Sequence, residues 1–341
     1  MRVLCAMSGG VDSSVTAALL ADAGHEVHGV TLRLWGGEAD QGCCSVADVE
    51  DARRVADHLG LDHHVFNFGP DFERHVVEPY VAAHAAGRTP NPCIECNRHL
   101  KFDRLLERAE VLGFDAVATG HHARVVDRPD GTRRVARGAD GGKDQSYVLH
   151  MLDQAALARV LLPVGDLTKA EVRERAADLG LRTAAKPDSQ DVCFIQTVAG
   201  RRGFLADRID LTSGRVVDDT GRQVGAVDAV ELVTVGQRRG LGLRQQQDPS
   251  FVTAVDISTA TVTVGRKEDL LDGEVALVDR VWADGPVAGP VLAQCSAHGE
   301  PRPGTLAGDR LVWDAAQPRV APGQSVVFYD GDQVLGGAIA R

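Results

Sequence analysis

Apolar positions in the first half of the chain fall into short runs that alternate with stretches of helical spacing. Val3–Met7 is a compact apolar run that predicts a buried strand. A glycine-containing loop follows, and Ser14–Leu20 is then apolar at helical spacing, with Gly24 placed to cap its end. Val27–Leu34 reads as a second strand. Ser45 opens a helix that runs to Leu59-Gly60, with Asp48 three residues on as a variant of the capping box. Val65–Phe68 is a third short strand, Leu100–Leu112 an amphipathic helix, and Ala116–Thr119 a buried strand after it. Thr168–Leu179 is a further helix, with Thr168 and Glu171 as its capping box. Strands alternating with crossover helices predict an α/β domain built on a parallel sheet, with ligands at the C-terminal ends of the strands.

The pattern changes after about residue 197. Val/Thr alternation appears at Val252–Val255 and Thr261–Val264, punctuated by Gly, Pro and Asp. Val326–Tyr329 and Val334–Ile339 flank Asp330-Gly331, which is a hairpin signal. The organisation expected is a domain over residues 1–199, a small Gly/Arg-rich middle domain over 200–266, and an antiparallel β-barrel over 267–341.

Composition narrows the class of protein. The chain has 341 residues, 44% of them hydrophobic and 25% charged, the proportions of a globular protein. No uninterrupted apolar run approaches the ~18 residues a membrane span needs. The apolar start of the chain breaks at Ser8-Gly9-Gly10, too short for a signal segment, so a cytoplasmic location and no membrane partner are expected. Seven cysteines, an odd number, argue for reduced or buried thiols over a disulfide framework. Cys5 reads as part of a core strand, Cys43-Cys44 as loop or packing residues, and Cys295 as a small buried hydrophobe.

Net charge is −11, which by itself disfavours a nucleic-acid partner. Its distribution changes that picture. Residues 1–87 hold 5 basic and 13 acidic groups, and 267–341 hold 6 and 11. The middle between these acidic ends is nearly neutral, with paired arginines at 133–134, 201–202 and 238–239, where an anionic partner is allowed.

Ser8-Gly9-Gly10-Val11-Asp12-Ser13-Ser14 lies between the first strand and the first helix. Glycines allow a tight turn that exposes N–H groups, hydroxyls add donors, and the helix N-terminus favours an anion. A bare Ser-Gly-Gly would be only a helix-capping turn, and neither G-x-x-x-x-G-K-[ST] nor G-x-G-x-x-G is present. The whole heptad in this position resembles the pyrophosphate loop of the N-type ATP pyrophosphatases (adenine nucleotide alpha hydrolase-like). That resemblance implies adenylation of a substrate oxygen, with charge on the departing pyrophosphate stabilised by the loop and by Mg²⁺. Asp12 either helps hold that ion or is a helix N-terminal acid.

Cys93-Ile94-Glu95-Cys96 follows Gly87-Arg88-Thr89-Pro90-Asn91-Pro92. The two prolines are expected to keep this strip extended until about Arg98, presenting a thiol close to a helix N-terminus, where the thiolate is favoured. Cys193 stands 97 residues after Cys96 in another loop, Lys186-Pro187-Asp188-Ser189-Gln190-Asp191-Val192-Cys193-Phe194. A lone C-x-x-C suits a redox pair or half a metal site, and no second pair with zinc-finger spacing follows. Three cysteines also suit an iron–sulfur cluster with one open iron.

Five motifs then occur in order: S-G-G-V-D-S-S, G-R-T-P-N-P-x-x-x-C-N, G-K-D-Q-S-Y (Gly142–Tyr147), D-x-C-F-I (Asp191–Ile195) and G-Q-R-R-G-L-G (Gly236–Gly242). Pro322-Gly323-Gln324-Ser325 and Phe328-Tyr329 come near the end. Together they resemble the bacterial tRNA-specific 2-thiouridylases, from residue 2 to 340. The resemblance implies that Ala6, Met7, Ser8, Gly9, Gly10, Val11, Asp12 and Ser13, with Leu32 and Gly120, bind ATP. It implies that Cys193 takes up persulfide sulfur and that Cys96 is the catalytic nucleophile opposite it. Asn91, Pro92 and Cys93 would meet the target base, and His121, Lys143, Asp144, Gln145 and Gln324 would contact tRNA. The partners implied are a tRNA with a wobble uridine and a cysteine desulfurase or sulfur-relay carrier.

One departure concerns Cys93, where many members carry Asp, a candidate general acid/base. The C-x-x-C with Cys193 keeps a cluster-dependent route open beside the favoured persulfide route. Arg238 and Arg239 either grip tRNA phosphates or form an ordinary basic turn. Two other readings remain: a small-molecule ligase, which needs neither Cys96 nor Cys193, and an RNA-binding module with a vestigial nucleotide loop.

Overall fold

Five parallel strands in the order β3-β2-β1-β4-β7 make the sheet of the first domain. They are β1 (Arg2–Ala6), β2 (Glu26–Arg33), β3 (Asp62–Asn67), β4 (Ala116–Ala118) and β7 (Val160–Leu161). The computed structural model describes residues 1–34, 46–188, 192–195, 200–243 and 250–341. Cys43, Cys44, the helix-opening Ser45 and Asp191 of the D-x-C-F-I motif lie outside the described residues.

The period-2 geometry of a strand explains how one short run feeds two cores. Val3, Cys5 and Met7 point to one face, where they pack with Val15, Val55 and Val172 of the helices Val11–Asp22, Val46–Leu59 and Lys169–Asp178. Leu4 points to the other, into a cluster with Val76 and Tyr80 of the helical stretch 69–85 and Leu100 and Leu105 of the stretch 92–111. Both faces of the sheet are thus covered, as a parallel sheet requires. Thr168 and Glu171 form the reciprocal capping box read from the sequence.

Two features differ from the pattern reading. The helix expected from about Arg98 begins at Pro92. Proline is excluded from helix interiors but suits the first helical position, where its missing N–H costs no bond. The Asn91 side chain caps this end by accepting from the Cys93 N–H. From Cys96 to Arg104 the helix is π-wound, before α-winding resumes at Leu105. The second difference is a hairpin, β5 (Ala123–Asp127) and β6 (Arg133–Arg137), whose arginines mask its alternation.

That hairpin joins the C-terminal sheet. Strands β12 (Leu271–Trp282), β13 (Gly289–Gln294), β14 (Arg302–Ala307), β15 (Arg310–Pro318), β16 (Ser325–Asp330) and β17 (Gln333–Ala340) follow the order β12-β15-β14-β13-β16-β17. Pairing of β12 with β17 closes the barrel, and β6 attaches beside β17. Between the two lies a four-stranded sheet, β10 (Phe251–Asp256), β11 (Thr261–Gly265), β8 (Gly214–Val217) and β9 (Gln223–Val227), with its own apolar core. No described helix is long and apolar enough to cross a membrane.

The barrel is docked onto the first domain by apolar packing of Val327, Tyr329 and Val334 with Tyr147 and Leu149, and by polar contacts. Tyr147 Oη donates to the Ser325 carbonyl at 2.8 Å, and Ser146 Oγ meets Tyr329 Oη at 3.1 Å. The Arg137 guanidinium lies 4.1 Å over the Tyr329 ring. Arg134 donates twice to Asp284 Oδ2, at 3.2 and 2.8 Å, with the two side chains only 8% and 16% exposed. Replacing Asp284 with Ala leaves that guanidinium buried and unpaired, and is expected to cost about 3–5 kcal/mol, read as a lower urea midpoint.

Candidate functional site

The Ser-Gly-Gly loop leaves the C-terminal end of β1, and its last glycine, Gly10, is the N-cap of the helix Val11–Asp22. Gly9 is left-handed (φ +72°), and a Cβ there would lie 2.3 Å from the Asp48 carbonyl oxygen. Only glycine lets the loop lie so close to the second helix. Gly120 serves the same end from β4, since a Cβ would lie 2.7 Å from the Ser13 nitrogen. The hydroxyls brace the turn. Ser13 and Ser14 both donate to the Gly10 carbonyl, at 3.1 and 2.8 Å, and the Ser8 N–H donates to Ser13 Oγ at 3.2 Å. Met7 and Leu32 are buried beneath the loop at the strand ends, and Val11 packs into the same core as Met7.

Asp12, in the first turn of the helix, is the hub of an ionic network. Lys169 Nζ lies 2.7 Å from both of its oxygens, and His122 Nε2 lies 3.1 Å from one. Burial raises the Asp12 pKa, but the bonds from His122 and Lys169 outweigh it and leave the carboxyl below its ordinary value. Lys169 also reaches Asp188 at 2.9 Å, and Asp188 takes Lys143 at 2.7 Å and Arg173 at 2.8 Å. Lys186 donates to the Gly9 carbonyl at 2.9 Å and to Asp48 and Asp51 at 2.8 Å each.

Lys169, Lys186 and Asp188 were not singled out by the sequence reading. A signal was available. The chain has 37 basic residues, of which only Lys101, Lys143, Lys169, Lys186 and Lys267 are lysines. Three of those five stand in this network, where a compact ammonium with convergent acceptors is needed in place of a planar guanidinium.

The residues expected to meet tRNA divide by burial. Lys143 keeps a half-exposed head. Asp144 is 6% exposed and accepts from Arg137, the Gly138 N–H and Ser146. Gln145 brackets His122, accepting its N–H through the side chain and donating to its carbonyl through the backbone. His121 is buried against Thr119 Oγ1 at 2.7 Å, and burial holds its imidazole well below the ordinary pKa. Gln324 donates to the Thr89 carbonyl at 2.7 Å, and the Thr89 N–H donates to the Pro322 carbonyl. The barrel therefore holds the strip that leads to Asn91, Pro92 and Cys93. Arg238 and Arg239 are exposed in a turn after the left-handed Gly236.

Cys93 is exposed in the first turn of the helix from Pro92, while Cys96, one turn on, is 9% exposed. Cys96 and Cys193 belong to one apolar cluster despite their separation in sequence. Next to Cys193, Phe194 fixes the segment against three rings: Phe72 and Tyr80 at 5.5 Å each and Phe204 at 5.0 Å. Edge-to-face contacts of this kind hold orientation as well as burying area. Cys5 and Cys295 are set apart from this chemistry, and burial pushes both thiols up to about 12.

Among the described residues, no three His, Cys, Asp or Glu side chains converge as a metal site. Cys93, Cys96 and Cys193 as placed do not form a cluster cradle. Asp12 commits both oxygens to Lys169. A magnesium ion would have to arrive on the phosphates of a nucleotide.

Family models match three stretches: a tRNA methyl transferase HUP domain over residues 1–197, a tRNA methyl transferase PRC-barrel domain over 202–266, and an aminomethyltransferase beta-barrel domain over 307–340. The tRNA-specific 2-thiouridylase MnmA of Roseiflexus sp. (strain RS-1) is 45% identical over 375 residues, covering 100% of this chain and 99% of its own. That of Kineococcus radiotolerans is 48% identical over 361 residues, covering 99% and 98%. Among solved structures, a 4-thiouridine synthetase–RNA complex with bound ATP aligns over 57% of this chain and 44% of its own, at 21% identity and a TM-score of 0.40.

The network at Asp188 carries a pH signature. Burial raises its pKa, but the hydrogen bonds and charges of Lys143 and Lys169 dominate and bring it down to about 2. A depressed carboxyl pKa contributes stability that is complete above the unfolded value and is lost as the pH falls through the folded one. The gap in urea midpoint between the protein and Asp188→Asn is therefore expected to be constant above about pH 5 and to shrink as the pH falls toward 2.

Proposed function

The chain belongs to the tRNA-specific 2-thiouridylase family, and on that premise we propose that it replaces oxygen with sulfur at carbon 2 of a tRNA wobble uridine, using ATP, in the cytoplasm. What supports this reading is that Cys96 and Cys193, far apart in sequence, pack into one apolar cluster of a chain that also carries a glycine loop at a helix N-terminus. A small-molecule ligase would need the loop alone.

The loop Ala6–Ser13, with Leu32 and Gly120, takes the nucleotide, its N–H groups and the helix N-terminus facing the phosphates. The uracil O2 attacks the α-phosphorus, pyrophosphate leaves, and the oxygen becomes part of a good leaving group. Cys193, charged with a persulfide by a desulfurase or relay protein, attacks carbon 2 through its terminal sulfur. AMP departs as the carbonyl-like carbon re-forms. The Cys96 thiolate then attacks the inner Cys193 sulfur, a Cys96–Cys193 disulfide forms, and the thiocarbonyl stays on the base. An external thiol reduces the disulfide for the next cycle. Magnesium, carried on the nucleotide, would add charge stabilisation for the departing pyrophosphate.

The base must leave the anticodon stack to reach these groups. The strip Asn91-Pro92-Cys93, held by Asn91 capping and by Gln324, is where it is received, and Lys143 with Arg238 and Arg239 offers cations to the tRNA backbone. Asp144, Gln145 and His121 shape the loops that present these contacts.

Cys96→Ser and Cys193→Ser are each expected to abolish thiolation while leaving ATP and tRNA binding within a few-fold. Thiolation retained by either variant overturns the relay. A second measurement concerns the cluster-dependent route. Protein stripped of iron is incubated anaerobically with ATP, unmodified tRNA and a sulfur donor, and the nucleosides are read by mass spectrometry. 2-Thiouridine is expected; its appearance only after iron–sulfur reconstitution would remove the persulfide roles of Cys96 and Cys193, and no product under either condition would favour the ligase.

A further inference from the structure

The strap 183–188 backs the phosphate loop along its length. Thr183 Oγ1 donates to Ser14 Oγ at 3.1 Å, Lys186 reaches the Gly9 carbonyl, and Asp188 reaches Asp12 through Lys169. Arg173 fixes the strap in turn, donating to the carbonyls of Ala184 at 2.7 Å and Lys186 at 3.0 Å and to the Asp188 carboxylate.

Lys186 sits in this strap with three acceptors for its three N–H donors: the Gly9 carbonyl, Asp48 and Asp51. Its charge is also matched. Arg182 lies 3.4 Å from Asp51, so two cations face two carboxylates. An ammonium saturated in this way has no donor left for a phosphate. What it does hold is the carbonyl of the one loop residue in left-handed conformation, Gly9, which is pressed against the Asp48 backbone. An anion-binding loop works by turning N–H groups toward the ligand and carbonyls away from it. A cation pinning the Gly9 carbonyl on the side of the second helix enforces that polarity.

We infer that Lys186 is a positioning residue of the nucleotide site, which sets the direction of the Gly9 peptide by bridging it to Asp48 and Asp51. This rests on the reading of the loop as the ATP site. The choice of lysine follows from the geometry, because three acceptors converge on one nitrogen, and a planar guanidinium cannot serve them from one point.

The test is steady-state thiolation with Lys186→Met, Lys186→Arg and Asp51→Ala, measuring KM for ATP, KM for tRNA and kcat, beside the thermal midpoint of each variant. Lys186→Met is expected to raise KM for ATP by about ten-fold or more with kcat and KM for tRNA within a few-fold, and Lys186→Arg is expected not to restore it. Asp51→Ala separates positioning from direct phosphate binding. A positioning lysine that loses an anchor gives a higher KM for ATP, whereas a phosphate ligand released from a competing carboxylate gives a lower one. Unchanged KM for ATP in folded Lys186→Met, or a lower KM in Asp51→Ala, overturns the inference. If Lys186→Met does not fold, the Asp51→Ala contrast decides alone. Failure of the unsubstituted protein to consume ATP would instead bring down the reading of the site on which the inference rests.

Discussion

Three cations, Lys143, Lys169 and Arg173, converge on the single carboxylate of Asp188, and the arrangement of the site depends on that convergence. Lys169 is 12% exposed and would be costly to bury unpaired, so it draws Asp12 and Asp188 together and with them two segments distant in sequence. Through Asp12 the network holds the first turn of the helix Val11–Asp22. Through Lys143 it holds the loop before Ser146, and through Asp188 the strap 183–188. One set of charges thus ties the helix Val11–Asp22, the loop before Ser146 and the strap 183–188 to one another.

The barrel has a comparable role at the other side of the site. Residues of the Gly142–Tyr147 motif, and Gln324, a candidate for tRNA contact, also join the two domains. Ser146 and Tyr147 bond to Tyr329 and Ser325, and Gln324 holds Thr89 just before the cysteine strip. A motif residue can therefore act through the placement of a neighbour. Asp144 is nearly buried and holds Arg137, Gly138 and Ser146 in place.

The two cysteines have different surroundings. Cys96 is sheltered in a π-wound stretch, a winding that widens the turn and is frequent at functional sites. Cys193 is partly exposed in a turn. Phe194, beside Cys193, buries its ring among Phe72, Tyr80 and Phe204.

The alternating apolar runs around β1, β2 and β4, the Thr168–Glu171 capping box, the glycine loop and the cysteine motifs were legible in the sequence because each is a local rule. Strand period, cap chemistry and glycine freedom act over a few residues. The helix start at Pro92 was misread because proline has opposite effects at the first helical position and in the interior, and only the Asn91 cap decides between them. The β5–β6 hairpin was hidden because its arginines look like solvent-facing residues until Asp284, Asp144 and Tyr329 are brought beside them. The rarity of lysine marked Lys169 and Lys186, but which groups they meet was decided by tertiary structure. A charge in a sequence carries no sign of its partner, and these partners lie 135 to 177 residues away for Lys186 and 157 for the Lys169–Asp12 pair.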